Sequence, residues 1–484
     1  MATQRGTISL AFNVSGLLGR EAGPSRMTLA TRAPFSTSAT VGAVQKKKVA
    51  PAQKKKSASV VRKTPKSADA ASTKRKGARS GGSGASDPSA LGLSRDSPFA
   101  QPKAEMSELP EFLPEMITAK DAYKVVAWSK RTWDALQFQQ FGLPKSLAKQ
   151  FGSESRPRTL IRPLTLEVLD MLDNARSKPS SPAEVNTVLN APLGYGISTL
   201  MLQAFSYALE SSWLVIYLPK SLTFVDSSSP YAYSEKHKVY LQPELTQHIL
   251  QRILSVNKDH LSKITLEDGP FTLDDRGGKI EKGANLVSVI QQGLQKDTSP
   301  DALQTVFEIT MRTIVQQRSV PVLLAADGAQ GLFSKSLYRD PDYRQLESYE
   351  LAVPRTLQAS LRTTGTGSFG GIQLGKSLTA MSLSNTKWPI PDEMRFALPG
   401  LNADLHPYAK LNDEMLSIVK ECQLNVWDMS NAVLTRKEAG ALFDVARKEG
   451  RMWSTPNDES FMSRLVESGG SVGTFQRGLR GSLL

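Results

Sequence analysis

The run Ala191-Pro192-Leu193-Gly194-Tyr195-Gly196-Ile197-Ser198-Thr199 lies between a short apolar segment, 185–190, and an amphipathic one, 198–209. Laid on the phosphate-loop pattern G-x-x-x-x-G-K-[ST], it keeps Gly196 and Ser198, with Gly194 inside the loop. Ala191 stands for the first glycine and Ile197 for the lysine, so half of the motif is gone. The flanks supply the rest of the reading. Val185, Val188 and Leu189 read as a buried strand, 198–209 as a helix, and 213–218 as a second apolar strand. A helix that opens directly after a strand and a glycine-bearing loop presents its free amides to an anion, with or without the lysine.

A second half-motif is expected downstream. Residues 319–328, Ser-Val-Pro-Val-Leu-Leu-Ala-Ala-Asp-Gly, form an apolar strand that ends on Asp327, the position from which a Walker B strand holds Mg²⁺. Many active ATPases of the AAA-like branch carry a glutamate next, to orient water; here that position is Gly328. A further strand over 377–383 leads to Ser384 and Asn385, candidates to face a γ-phosphate. Order and spacing indicate an α/β fold, a P-loop NTPase (AAA-like) parallel sheet flanked by helices.

Other candidate sites are weaker. Gly365-Thr-Gly-Ser-Phe-Gly370 matches G-x-G-x-x-G, but it follows a helical stretch, 349–362, and precedes a strand, the reverse of the dinucleotide-binding order. His237, His248, His260 and His406 have no metal-like spacing with Cys422, and Glu267-Asp268 and Asp274-Asp275 sit among turn residues rather than as paired catalytic acids.

The chain has 484 residues, 40% hydrophobic and 22% charged, enough for a large core. Its net charge of +14 is unevenly placed: residues 1–40 carry +3, residues 41–80 carry +12, and the remainder carries −1. A uniformly basic nucleic-acid-coating fold is therefore excluded. Residues 1–40, with Arg5, Arg20, Arg26 and Arg32, many Ser, Thr and Ala and only Glu21 as an acid, have the composition of a mitochondrial presequence. Their apolar pieces are too short and interrupted for a secretory signal or a membrane span, and neither membrane nor DNA is an expected partner. Residues 41–108 read as a disordered basic arm and linker whose Lys clusters suit a phosphate backbone without base readout. A single cysteine, Cys422, excludes a disulfide framework within the chain.

Residues 109–180 are expected as a helical extension, with helices over 122–141 and 164–175; 181–400 as the nucleotide-binding-like domain; and 401–484 as a helical subdomain. Within the last, Thr435-Arg-Lys-Glu438 is a capping box opening a helix to about residue 448, and another helix runs to the stop at Gly469-Gly470.

The segments 191–199, 213–219 and 321–333 resemble the family of mitochondrial small-subunit ribosomal proteins known in animals as death-associated protein three. The resemblance covers roughly residues 109–484. It implies a place in the head of the small mitoribosomal subunit in the matrix, contacts with ribosomal RNA and ribosomal proteins, and an association with a purine nucleotide, GTP or GDP before ATP, together with Mg²⁺. Carried over, the loop maps to Gly194, Tyr195, Gly196, Ile197, Ser198 and Thr199, and the magnesium-side positions to Ser198 and Asp327; Ile197 departs from the family's lysine. The expected function is a structural ribosomal component with a degenerate nucleotide site and no catalytic residues. The alternatives are an active P-loop GTPase or ATPase, which needs a lysine and a water-activating group, and a regulatory protein-binding adaptor, which leaves the basic arm unexplained.

Overall fold

The computed structural model describes residues 109–136, 142–152, 157–177, 182–273, 278–382, 385–399, 401, 408–450, 452 and 456–479. The presequence and basic-arm readings, and also Asp274, Asp275, Ser384 and His406, lie outside them.

Five strands form one sheet: β1 (Asn186–Asn190), β2 (Leu214–Leu218), β3 (Val322–Asp327), β4 (Gly375–Met381) and β5 (Asn425–Asp428). Their order is β5-β1-β4-β3-β2 and every neighbouring pair is parallel. The register aligns the carboxyl ends, with Asn190 opposite both Met381 and Asp428, and Ala380 opposite Asp327. The chain leaves β1 toward one edge of the sheet and returns on its other side as β5, so a topological switch point lies at β1, where open α/β sheets bind ligands.

Both faces are covered, which is why the strands read as continuous apolar runs rather than alternating ones. Leu214, Ile216, Leu218, Val322, Leu324 and Ala326 belong to one buried cluster, Val215, Tyr217, Leu323 and Ala325 to the other. On the second face lie α1 (Pro163–Ser177) and α2 (Ile197–Glu210). The first face holds α3 (Pro243–Leu261), α4 (Pro300–Gln316), α5 (Ala352–Leu361) and α6 (Asp413–Glu421). Three further helices, α7 (Arg436–Lys448), α8 (Asp458–Glu467) and α9 (Val472–Leu479), bury Leu442, Phe443, Phe461 and Phe475 in a separate core. The capping box is present as expected: the Thr435 side chain accepts from the Glu438 amide, and the Glu438 carboxylate accepts from the Thr435 amide at 2.7 Å.

Two local expectations are corrected. No single helix spans 122–141: Val125–Ala127 is a strand paired antiparallel with Arg158–Leu160, and among the described residues the helix covers Lys130–Leu136. The β-branched pair Val125-Val126 favours the pleated conformation, and the pairing buries both side chains. The second concerns β5, which comes from a stretch read as part of a mostly helical C-terminal region. Asn425 and Asp428 are exposed and only Val426 and Trp427 partly buried, so the apolar signal is short. Among the described residues no helix is long and apolar enough to cross a membrane.

Candidate functional site

Strand β1 ends at Asn190 and α2 begins at Ile197, so the loop between them is at the carboxyl edge of the sheet, as the sequence implied. Two loop residues take left-handed backbone conformations, Gly194 at φ +87° and Gly196 at φ +92°, the region that favours glycine. Gly196 is the N-cap of α2 and offers no side chain to cap it. The amides of the first turn therefore keep their positive end of the helix dipole open at the loop.

Ser198 and Asp327, far apart in sequence, meet here. Burial pushes the Asp327 carboxyl up to about 6, against the Ser198 hydroxyl, whose hydrogen bond to it favours the ionised form; the Gly328 amide donates to the Ala380 carbonyl at 2.9 Å. Among the described residues no cation is one of its partners. An unneutralised acid in a desolvated position is held at a cost that a bound cation would remove. Two further polar atoms at the same edge fit a ligand: Asn190 Oδ1 and the Ser382 hydroxyl are buried without a hydrogen-bond partner. Asn190 Nδ2 donates to Asp428 at 3.2 Å. Ser382 directly follows β4, two residues before the expected Ser384, which is outside the described residues. Asn385 is described, and its side-chain oxygen accepts from the Trp388 amide at 3.1 Å. Gly328 sits at φ +82°, so a glutamate in its place would be strained as well as displaced.

Beside the loop is an open cleft. Arg158, Thr159 and Arg162 line one wall, Tyr195, Ile197 and Thr199 the second, Val472 and Gln476 the third. Ile197 also packs its hydrocarbon side chain against the apolar cluster on the α2 face of the sheet.

Arg162 ties these walls together. Its guanidinium donates to the Glu438 carboxylate at 2.9 Å, to the Tyr195 carbonyl at 3.1 Å and to the Ala432 carbonyl at 2.9 Å. Glu438 is 1% exposed, so the ion pair is buried and also anchors the capping box of α7. At the loop's outer side, α9 closes on Gly194, whose carbonyl accepts from the Gly473 amide at 2.8 Å and from the Ser471 hydroxyl at 3.2 Å. A Cβ on Gly194 would stand 2.4 Å from the Ser471 oxygen. Gln203 of α2 fixes the first wall, donating to Thr159 at 2.7 Å and to the Leu160 carbonyl at 2.8 Å. Sequence reasoning found the capping box but not Arg162, Asn190, Ser382, Ser471 or Gly473. None carries a motif, and each acquires its place only through long-range packing.

A pH prediction arises from Asp327. Its folded pKa lies above the usual carboxylate value of 3.8, so the folded state holds the proton more tightly than the unfolded one. Stability from this group is complete below about pH 4 and is lost as pH rises through about 6. In protein freed of nucleotide and metal, Asp327→Asn is expected to stabilise by about 1–2 kcal/mol at pH 7.5, less than the full shift because solvent reaches part of the residue. The gain should vanish at pH 4; a pH-independent difference in denaturant midpoints refutes this account.

The profile of mitochondrial ribosomal death-associated protein 3 matches residues 159–478. The chain is 23% identical over 332 residues to the small ribosomal subunit protein mS29 of Neurospora crassa, covering 68% of each chain. It is 25% identical over 201 residues to mS29 of Schizosaccharomyces pombe, covering 41% of each. With mS29 of Bos taurus it shares 25% identity over 258 residues, 52% of this chain and 62% of the bovine one. The matched segment runs from the strand before α1 to the end of α9, taking in the whole sheet, the loop and the helices that close it, and on that extent the chain belongs to the mitochondrial ribosomal death-associated protein 3 family.

Proposed function

We propose that this chain is a structural component of the small subunit of the mitochondrial ribosome, in the matrix, supporting mitochondrial translation. The observation that carries this is the family match across the entire sheet domain and its closing helices. The relatives in two fungi and in cattle bear the name of a small ribosomal subunit protein. Residues 1–40 then serve as the import signal, and the arm at 41–80, with its +12 charge, as a tether to ribosomal RNA.

Within this reading the sheet is a P-loop NTPase relative of the AAA-like branch whose loop is at most a structural or regulatory site for a purine nucleotide, guanine before adenine. The Ser198–Asp327 hydrogen bond supports it, since those two residues would hold Mg²⁺. A bound Mg²⁺ would supply charge to the phosphates. The chain's own part is to offer the α2 amides to phosphate and to enclose the rest in the cleft. With isoleucine at 197 and glycine at 328, no side chain stands at either aligned position to balance transferring charge or orient water, so the chain is not an enzyme.

Tagged full-length protein from mitochondrial lysate is expected to sediment with the small subunit; recovery only at the top of the gradient overturns the proposal. Deleting 41–80 should weaken attachment most at low salt and flatten its salt dependence, because each lost Lys–phosphate contact removes a counterion-release contribution. Identical salt curves for the two proteins rule out the tether.

A further inference from the structure

Among the described residues eleven large hydrophobic side chains are exposed, and four of them, Tyr231, Tyr233, Leu337 and Tyr343, lie on two touching segments. One is the hairpin Ala232–Ser234 with Val239–Leu241, the other the loop 335–346. Tyr231 joins them: its ring is 4.7 Å from that of the buried Tyr338, and its hydroxyl donates to the Arg339 carbonyl at 2.6 Å. On the hairpin, Tyr231 and Tyr233 flank Tyr240, at 5.9 and 5.2 Å between ring centres. Arg339 donates to the Tyr343 carbonyl at 2.7 Å and so fixes the loop tip, where Tyr343 is 79% exposed. Exposed side chains gathered on two touching segments and tied by these ring contacts and hydrogen bonds differ from scattered exposed apolar residues, which need no explanation.

The charges around it cancel. Arg344 donates to Asp340 at 3.0 Å and to Glu350 at 2.6 Å, and Lys335 pairs with Glu347 at 3.5 Å. Lys236 donates to the Leu273 carbonyl at 2.9 Å, and Lys238 and Arg339 are offset by Glu235 and Asp342 on the same two segments. The two segments carry five cations and three acids, and Glu347 and Glu350 just beyond them pair with Lys335 and Arg344, which leaves little unpaired positive charge for a phosphate backbone, whose binding depends on it. Tyrosine in quantity, arginine held in place and no net charge are instead the composition of protein-interface cores and their hot spots.

We propose that this face, built on 231–241 and 335–346, is where the chain docks onto a neighbouring protein of the same particle, one that presents an apolar surface of low charge. The proposal rests on the ribosomal reading above. Contact of this type is insensitive to salt, unlike the arm's, because it derives from apolar burial rather than from ion pairing.

The test uses full-length protein assembled into the small subunit in mitochondria. After a wash at about 0.5 M salt, where charge contacts are screened within roughly 4 Å, wild type is expected to stay on the subunit, and Y233S/L337S/Y343S to fall at least tenfold in the fraction retained. A benzophenone amino acid at position 343 of the otherwise unchanged chain keeps the test independent of how the triple variant folds. Its adduct should resist RNase and disappear with protease. An RNase-sensitive adduct, an adduct to a second copy of this chain, or equal retention of variant and wild type overturns the proposal. Wild type absent from the subunit even at low salt instead overturns the ribosomal reading on which it rests.

Discussion

Replacing Arg162 with alanine is expected to destabilise the protein by about 3–5 kcal/mol, the cost of leaving a buried carboxylate without its partner. The guanidinium lies 2.9 Å from Glu438, which is 1% exposed. Removing it strands that acid beneath α7 and frees the Tyr195 and Ala432 carbonyls at the same time. The denaturant midpoint should fall with little change in slope, and R162A/E438Q should recover much of the loss, since a neutral amide costs less to bury than an unpaired charge. The ion pair is not the source of the effect if the double variant is as unstable as the single one. Amide exchange offers a second reading: residues 436–448 should lose protection in R162A while those of α2 keep most of theirs.

Ile197→Lys is expected to tighten binding of a guanine nucleotide with Mg²⁺ by on the order of a hundredfold, because hydrogen bonds to charged groups contribute about 1.5–3 kcal/mol. Isothermal titration of the two proteins measures the ratio. Phosphate release should stay at background in both, because Gly328 offers no group to position water. Unchanged affinity would mean that the loop does not present this position to phosphate. Steady turnover by the unmodified protein, abolished by Asp327→Ala, would mean that a working enzyme has been read as a relic.

The parts legible in the sequence were those set by local chemistry. Alternation was absent from 213–218 and 322–327 because both faces of the sheet are buried, and that absence itself marked them as central strands. The Thr435–Glu438 capping box and the loop before α2 depend on residues within a few positions of each other, and both are where the sequence put them. Asp327 was legible because a long apolar run ended on it. The rest depends on contacts between distant segments. Val125–Ala127 is a strand because Arg158–Leu160 is there to pair with it, and no local window contains both. Asn425–Asp428 joins the sheet at its edge, where exposure dilutes the apolar pattern. Arg162 is one arginine among many until folding brings Tyr195, Ala432 and Glu438 to it.

The closure of the loop by α9 has a kinetic consequence. The Ser471 hydroxyl meets the Gly194 carbonyl across a sequence separation of 277 residues. A contact that distant must first meet the entropy of closing a long chain segment, and so it forms late. While the chain is being made, the strand, loop and α2 can take their local geometry early, but the outer wall of the cleft does not exist until α9 has been synthesised and docked. Before then the groove has two walls and is open to exchange, and docking of α9 turns it into the finished cleft.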